Sequence, residues 1–284
     1  MTTNQIISEL KTQLQKYYDQ REATALVRIV VEEVLHYSQV DVLLRGDFEQ
    51  DDVFVDHMRD IVKRLCGGEP IQYILGHTTF HGHEFKDTPA TLIPRPETEQ
   101  LVDMIVDEAD GKADLNVLDI GTGSGCIAIS LALALKWPSV EAVDISEDAL
   151  KVAAENANAL KAKVKFTHTD ILLATPRSES LDIVVSNPPY VCDSERDGME
   201  RNVLEHEPAT ALFVPDADPL LFYRAIAIYA EKALRPGGRI YFEINRRFGK
   251  ETCQLLEQHG FEAAQVIADQ FGNPRFVKAQ KSDY

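Results

Sequence analysis

Cations are scarce in this sequence. Its 29 Lys and Arg stand against 46 Asp and Glu, a formal charge of −17 over 284 residues. So acidic a chain lacks the clustered cations that tight, sequence-independent binding to a phosphate backbone requires, so nucleic acid is disfavoured as the main partner. Acidity also serves plain solubility. Paired cysteines are missing as well: Cys66, Cys126, Cys192 and Cys253 are scattered, with no C-x-x-C among them. This argues against a zinc knuckle or a disulfide framework and suits a reducing, cytoplasmic setting. No run of about 18 apolar residues occurs, and Met1-Thr2-Thr3-Asn4-Gln5 opens without a basic or apolar leader segment. The expectation is a protein neither secreted nor inserted in a membrane. Repeats and low-complexity tracts are absent too. What is there, 44% hydrophobic and 26% charged residues, is ordinary globular protein of a length that favours two bodies.

From Ile6 to about Leu65 apolar residues recur every three or four positions (Ile6, Leu10, Leu14; Leu26, Ile29, Val30, Val34), with no glycine until Gly46. This spacing predicts several short amphipathic helices, a helical domain over residues 1–68. Gly67-Gly68-Glu69-Pro70 breaks the pattern, and residues 69–96 turn to aromatics, glycines and prolines, as expected of a connector containing a hairpin. Over residues 97–284 helical stretches alternate with short apolar runs: Val117 to Ile120, Glu141 to Asp144, Val164 to Phe166, Asp182 to Ser186, Gly238 to Glu243. Strands separated by helix-sized spacers predict an α/β fold, a doubly wound, mostly parallel sheet covered on both faces.

The first of these runs leads into Gly121-Thr122-Gly123-Ser124-Gly125 and then an apolar helix reaching about Leu135. Glycines at such a turn let the backbone approach a ligand and open a helix whose first N–H groups face it. A dinucleotide fingerprint would need its third glycine at position 126, where Cys126 stands, so NAD is disfavoured. Asp144 ends the second strand 23 residues after Gly121, where a carboxylate accepts from both hydroxyls of a ribose. Asp170, after the third strand, is placed to meet an adenine edge; a solvated loop acid or a cap is the plainer alternative. The combination resembles the adenosylmethionine-binding half of Rossmann-like methyltransferases, in which Asp119 would lie near the methionine end of the cofactor.

Ser186-Asn187-Pro188-Pro189-Tyr190 follows the fourth strand at the carboxyl edge, where open α/β sheets place their ligands. Two prolines remove two donors and leave carbonyl oxygens free to accept. A planar –NH2 group has two N–H bonds to be held: the Asn187 side-chain oxygen can accept one and the Pro188 carbonyl the other, with Tyr190 stacking on the flat group. Such acceptors favour positive charge developing on nitrogen without a dedicated base. The motif is similar to the signature of enzymes that methylate planar nitrogens in DNA, RNA or glutamine side chains. It names the acceptor chemistry and not the acceptor.

Further segments narrow the choice. Pro70 to Gly76, Phe80-His81-Gly82-His83-Glu84-Phe85 and Ile93-Pro94-Arg95-Pro96-Glu97-Thr98-Glu99 resemble the connector of the release-factor glutamine methyltransferases, the HemK-like class I family. Glu207-Pro208, Arg235-Pro236-Gly237-Gly238, Asp269, Gly272 and Arg275 continue the likeness. The resemblance implies methyl transfer from S-adenosyl-L-methionine, leaving S-adenosyl-L-homocysteine, to N5 of the glutamine in the Gly-Gly-Gln loop of peptide chain release factors. Asn187, Pro188, Pro189 and Tyr190 would contact that glutamine, with Asn187, Pro188 and Tyr190 carrying the reaction. Gly121, Thr122, Gly123, Ser124, Gly125, Asp144, Asp170, Ile171 and Asn187 would hold the cofactor, and residues 1–68 would recognise the partner. No stable nucleic-acid partner is expected. The alternatives are a ribosomal-protein glutamine or a base, adenine N6 or guanine N2. The chain departs from the family at Ile171 and Leu172, where an aromatic is usual, and at Asn245 and Phe248, in the places of a glycine and a glutamine. Arg95 and Glu97 are expected to shape the connector side of the pocket or to form a structural ion pair, and Glu207 to brace the substrate loop or cap a helix. His77, His81 and His83 lack a cysteine companion, and no metal is expected.

Overall fold

A computed structural model describes residues 1–35, 47–176 and 178–283. The part of the expected helical stretch that falls on residues 36–46 lies outside the described residues. The chain divides into two compact units: residues 1–75 with 201–206, and residues 76–200 with 207–284.

In the first unit α1 (Thr3–Leu14), α2 (Gln20–Leu35), α3 (Asp52–Cys66) and the short α4 (Ile71–Leu75) follow the apolar spacing. Thr2 opens α1 with a reciprocal capping box to Gln5, and the Asp51 carboxylate caps α3 by accepting from Phe54 N. Ile6, Leu10, Leu14, Val27, Val30, Met58, Ile61, Val62 and Leu65 close a core of their own, each contributing about 1.5–3 kcal/mol by burial. The hairpin expected as a connector, β1 (His77–Phe80) and β2 (His83–Lys86), groups with the second unit.

The second unit holds a seven-stranded sheet. Its strands are β3 (Asn116–Ile120), β4 (Ser139–Asp144), β5 (Val164–His168), β6 (Leu181–Ser186), β9 (Leu234–Glu243), β10 (Phe261–Ala268) and β11 (Pro274–Lys281), in the order β10-β11-β9-β6-β3-β4-β5. The pairs from β9 to β5 are parallel. The last two strands add an antiparallel hairpin at one edge, which the apolar runs did not predict. A two-stranded pair, β7 (Val191–Cys192) and β8 (Phe213–Val214), stands apart from the sheet. The helices of this unit are α5 (Pro96–Glu108), α6 (Cys126–Ala134), α7 (Glu147–Leu160), α9 (Leu221–Ala233) and α10 (Gly249–Gln258), while α8 (Arg201–His206) groups with the first unit.

From β3 the chain winds outward through β4 to β5, then returns to the other side of β3 with β6. That reversal leaves a crevice at the carboxyl ends of β3 and β6, where a doubly wound sheet receives its ligand. Ser186 Oγ donates to Ile120 O across it at 2.6 Å, joining the two strand ends. Among the described residues no helix is long and apolar enough to cross a membrane.

Candidate active site

β3 is buried from Val117 onward because both sheet faces are covered, so its last residues can hold a turn rigidly. Gly121 N and Thr122 N donate to Val143 O, tying the turn to the neighbouring β4. Gly125 carries φ +83° as the N-cap of α6; a Cβ there would come within 2.9 Å of Ile129 Cδ1 and 3.1 Å of Ala153 Cβ. Only glycine meets both demands. Asn156, buried on α7, donates from Nδ2 to Ser124 O at 2.9 Å and accepts from Lys86 N at 2.7 Å, so the turn is also fastened to β2.

Around this turn lies a cavity of about 350 Å3. Gly121, Gly123, Asp144, Asp170, Ile171, Asn187, Pro188 and Pro189 all line it, so the glycine turn and the Asn-Pro-Pro segment share one space. Asp144 Oδ2 accepts from Gly123 N at 2.9 Å and Oδ1 from Ser146 N at 2.8 Å, which sets the carboxylate at the cavity wall. Asp170 Oδ1 accepts from Leu172 N, and Ile145, Ala149, Ile171 and Leu172 make the adjoining wall aliphatic. Ala90, Thr91 and Leu92, and Pro208, Thr210 and Phe213, also line the cavity. These two segments are far apart in sequence, but Glu207 joins them, accepting from Arg95 Nη2 at 2.6 Å and from Ile93 N at 3.3 Å. Arg95 therefore pairs with Glu207.

Thr122, Ser124, Gly125 and Tyr190 do not line the cavity. Thr122 Oγ1 donates to buried Asp119 at 2.6 Å, while Asp119 Oδ1 and Ser124 Oγ are buried without a hydrogen-bond partner. Burial, reinforced by the charge of Asp144, lifts the Asp119 carboxyl to about 7 against the Thr122 bond. Tyr190 is half-buried against the core, and its hydroxyl donates to Glu243 at 3.1 Å. Burial, then the Glu243 charge, raises its phenol well above the ordinary range. Burial likewise raises Glu243, against hydrogen bonds from Thr98 and Tyr190.

Sequence reasoning missed Asn156, Glu243 and Asp87. Asp87 follows β2, is buried, and neither of its carboxylate oxygens has a hydrogen-bond partner; burial and then Glu207 push it to about 7. Asn156 and Glu243 bond to residues far along the chain and Asp87 is buried by the fold, so no local pattern marks them. His81 Nε2 lies 2.9 Å from Asp103, and His77 pairs with Glu84. Among the described residues no three ligating side chains gather as a metal site.

Comparison with known proteins bears on the family and the fold. Residues 97–210 match the methyltransferase small domain, and residues 5–76 the PrmC N-terminal domain. The fold resembles a 16S rRNA N2 G1207 methyltransferase of Thermus thermophilus, with TM-score 0.52 and 21% identity over 72% of this chain and 49% of that one. It also resembles a methyltransferase of Pyrococcus furiosus, with TM-score 0.50 and 16% identity over 72% of this chain and 91% of that one. Both likenesses concern the fold alone. Two relatives named release factor glutamine methyltransferase are much nearer. One, from Bacteroides thetaiotaomicron, is 43% identical over 98% of this chain and all of its own length. The other, from Flavobacterium psychrophilum, is 42% identical over 96% and 98%. With both units matched and the likeness running through the glycine turn and the Asn-Pro-Pro segment, the chain belongs to the release factor glutamine methyltransferase family.

Proposed function

We propose that this chain transfers a methyl group from S-adenosylmethionine to N5 of the glutamine in the Gly-Gly-Gln loop of peptide chain release factors. The observation that carries this reading is the single cavity shared by the glycine turn and Asn187-Pro188. The residues present suit the cofactor. Asp144 stands at the strand end where a ribose is held, and aliphatic Ile145 and Ile171 line the same cavity. When bound, S-adenosylmethionine supplies an electrophilic methyl group on its sulfonium.

The remaining work falls to the chain. Asn187 Oδ1 and the Pro188 carbonyl accept the two N–H bonds of the substrate amide, which orients its nitrogen and favours the positive charge that develops there. Pro189 fixes the backbone that carries those acceptors. Asp144 and Asp170 hold the adenosine end, with Gly121 and Gly123 giving the backbone close approach. The Arg95–Glu207 pair ties the segment after Leu92 to the one before Pro208. The helical unit is assigned to recognition of the release factor, since one glutamine in a short loop offers little specificity. The charge of −17 suits a basic, RNA-binding protein as partner and not nucleic acid itself.

The test is transfer of a labelled methyl group from S-adenosylmethionine to purified release factor, with ribosomal proteins and ribosomal RNA in parallel. Label on the factor alone is expected. Label on RNA and none on the factor contradicts the reading.

A further inference from the structure

β9 ends beside the Asn-Pro-Pro-Tyr segment, and two side chains at its exit grip Tyr190 from different sides. Glu243, buried, accepts from the Tyr190 hydroxyl at 3.1 Å with one oxygen and from Thr98 Oγ1 at 2.7 Å with the other. Asn245, also buried, donates from Nδ2 to the Tyr190 carbonyl at 3.1 Å and to Glu195 Oε2 at 2.7 Å. Its Oδ1 accepts from Arg247 N, and its backbone N–H donates to the Tyr223 hydroxyl. Tyr223 in turn donates to the Glu243 carbonyl. Glu195 also accepts from Cys192 N, so the chain just past Tyr190 is tied down as well.

Such a network is more than packing. A buried carboxylate satisfied by two hydroxyls has a large desolvation cost, which an apolar residue of similar volume avoids. Asn245 stands where the family resemblance expects glycine, and glycine offers none of its three side-chain bonds. Both residues act on the one segment whose backbone carries the Pro188 carbonyl, and displacement of such an acceptor by about 1 Å is enough to cost on the order of a hundredfold in rate.

We propose that Glu243 and Asn245 are positioning residues for methyl transfer: Glu243 fixes the Tyr190 ring through its hydroxyl, Asn245 fixes the Tyr190 main chain, and together they hold the Asn187–Pro188 acceptors in register with the glycine turn. This rests on the proposed function for its kinetic consequence, and on geometry alone for the contact.

The experiment compares wild type, Glu243→Gln, Asn245→Gly, Tyr190→Phe and the Tyr190→Phe/Glu243→Gln double variant. It measures kcat and KM on release factor, the Kd for S-adenosylmethionine by calorimetry, and Tm. Glu243→Gln and Asn245→Gly are expected to lower kcat by about tenfold each, with cofactor Kd within about twofold. In the Tyr190→Phe background Glu243→Gln costs less than about twofold more, since its route to the reaction has already been cut. Losses that multiply in the double variant, or cofactor affinity and Tm falling in step with kcat, overturn the assignment. A wild type that methylates no release factor contradicts the proposed function instead. The clamp is then decided by NMR on protein labelled at tyrosine Cζ. The resonance missing from Tyr190→Phe must move in Glu243→Gln and stay in place in Glu251→Gln, a change at an exposed site on α10. A resonance that does not move in Glu243→Gln overturns the clamp without reference to activity.

Discussion

A substitution at Asn187 removes one oxygen from the cavity wall and leaves the glycine turn untouched. Asn187→Ala is therefore expected to lower kcat at least about a hundredfold while cofactor Kd changes by less than about threefold. Asp144→Ala should do the reverse, since it strips Gly123 N and Ser146 N of their acceptor and the cavity of its ribose-side carboxylate. Equal losses in both quantities for both variants would contradict the division of labour. Asp87 makes a different prediction. Its carboxyl sits near 7 in the fold against 3.8 as a free side chain. Between those values the native state binds the extra proton, so stability from this group is present at low pH and lost as pH rises toward 7. Asp87→Asn should leave Tm unchanged near pH 4 and raise it at pH 8, worth roughly 1–3 kcal/mol, in thermal melts across that range. A higher Tm at pH 4 and none at pH 8 would reverse the sign and refute it. Asp144 was legible because a strand end and a fixed distance from Gly121 both point to it. Glu243 acts through partners 53 and 145 residues away and Asp87 lies buried without one, and local pattern carries no trace of that.

The elements that hold the site were the readable ones. β3 and β6 are buried toward their carboxyl ends and announce themselves as short, mostly apolar runs, and the turn after β3 announces itself by its glycines. The β10–β11 hairpin was silent for a physical reason. β10 lies at a sheet edge with most of its side chains exposed and its register broken between Glu262 and Gln265, so it shows neither a run nor a clean alternation. β9 extends back to Leu234, ahead of the apolar run that begins at Gly238. Gly237 at φ +73° and a register shift against β6 let Arg235-Pro236-Gly237-Gly238 stay within the strand. At this scale the sharpest test is Gly125→Ala. Its methyl group would collide with Ile129 and Ala153 in a left-handed backbone, at a cost of roughly 1–3 kcal/mol. Denaturant midpoints should fall, and cofactor affinity with them. A neutral substitution would mean that the turn shifts freely.

Over the whole chain the helical unit and the sheet unit each close their own core, and charge is the property they share. If the excess of acid steers a basic partner, kcat/KM on release factor should fall about tenfold between low salt and about 0.5 M salt, the change residing in KM. A flat profile removes the steering account and leaves the acidity to solubility. The central claim, that this cavity serves a glutamine amide of a release factor, is tested most directly by tandem mass spectrometry of the factor after incubation with the protein and S-adenosylmethionine. One methyl group on the side chain of the glutamine in the Gly-Gly-Gln loop is the predicted result; a factor recovered unmodified, or methylated at any other residue, contradicts it.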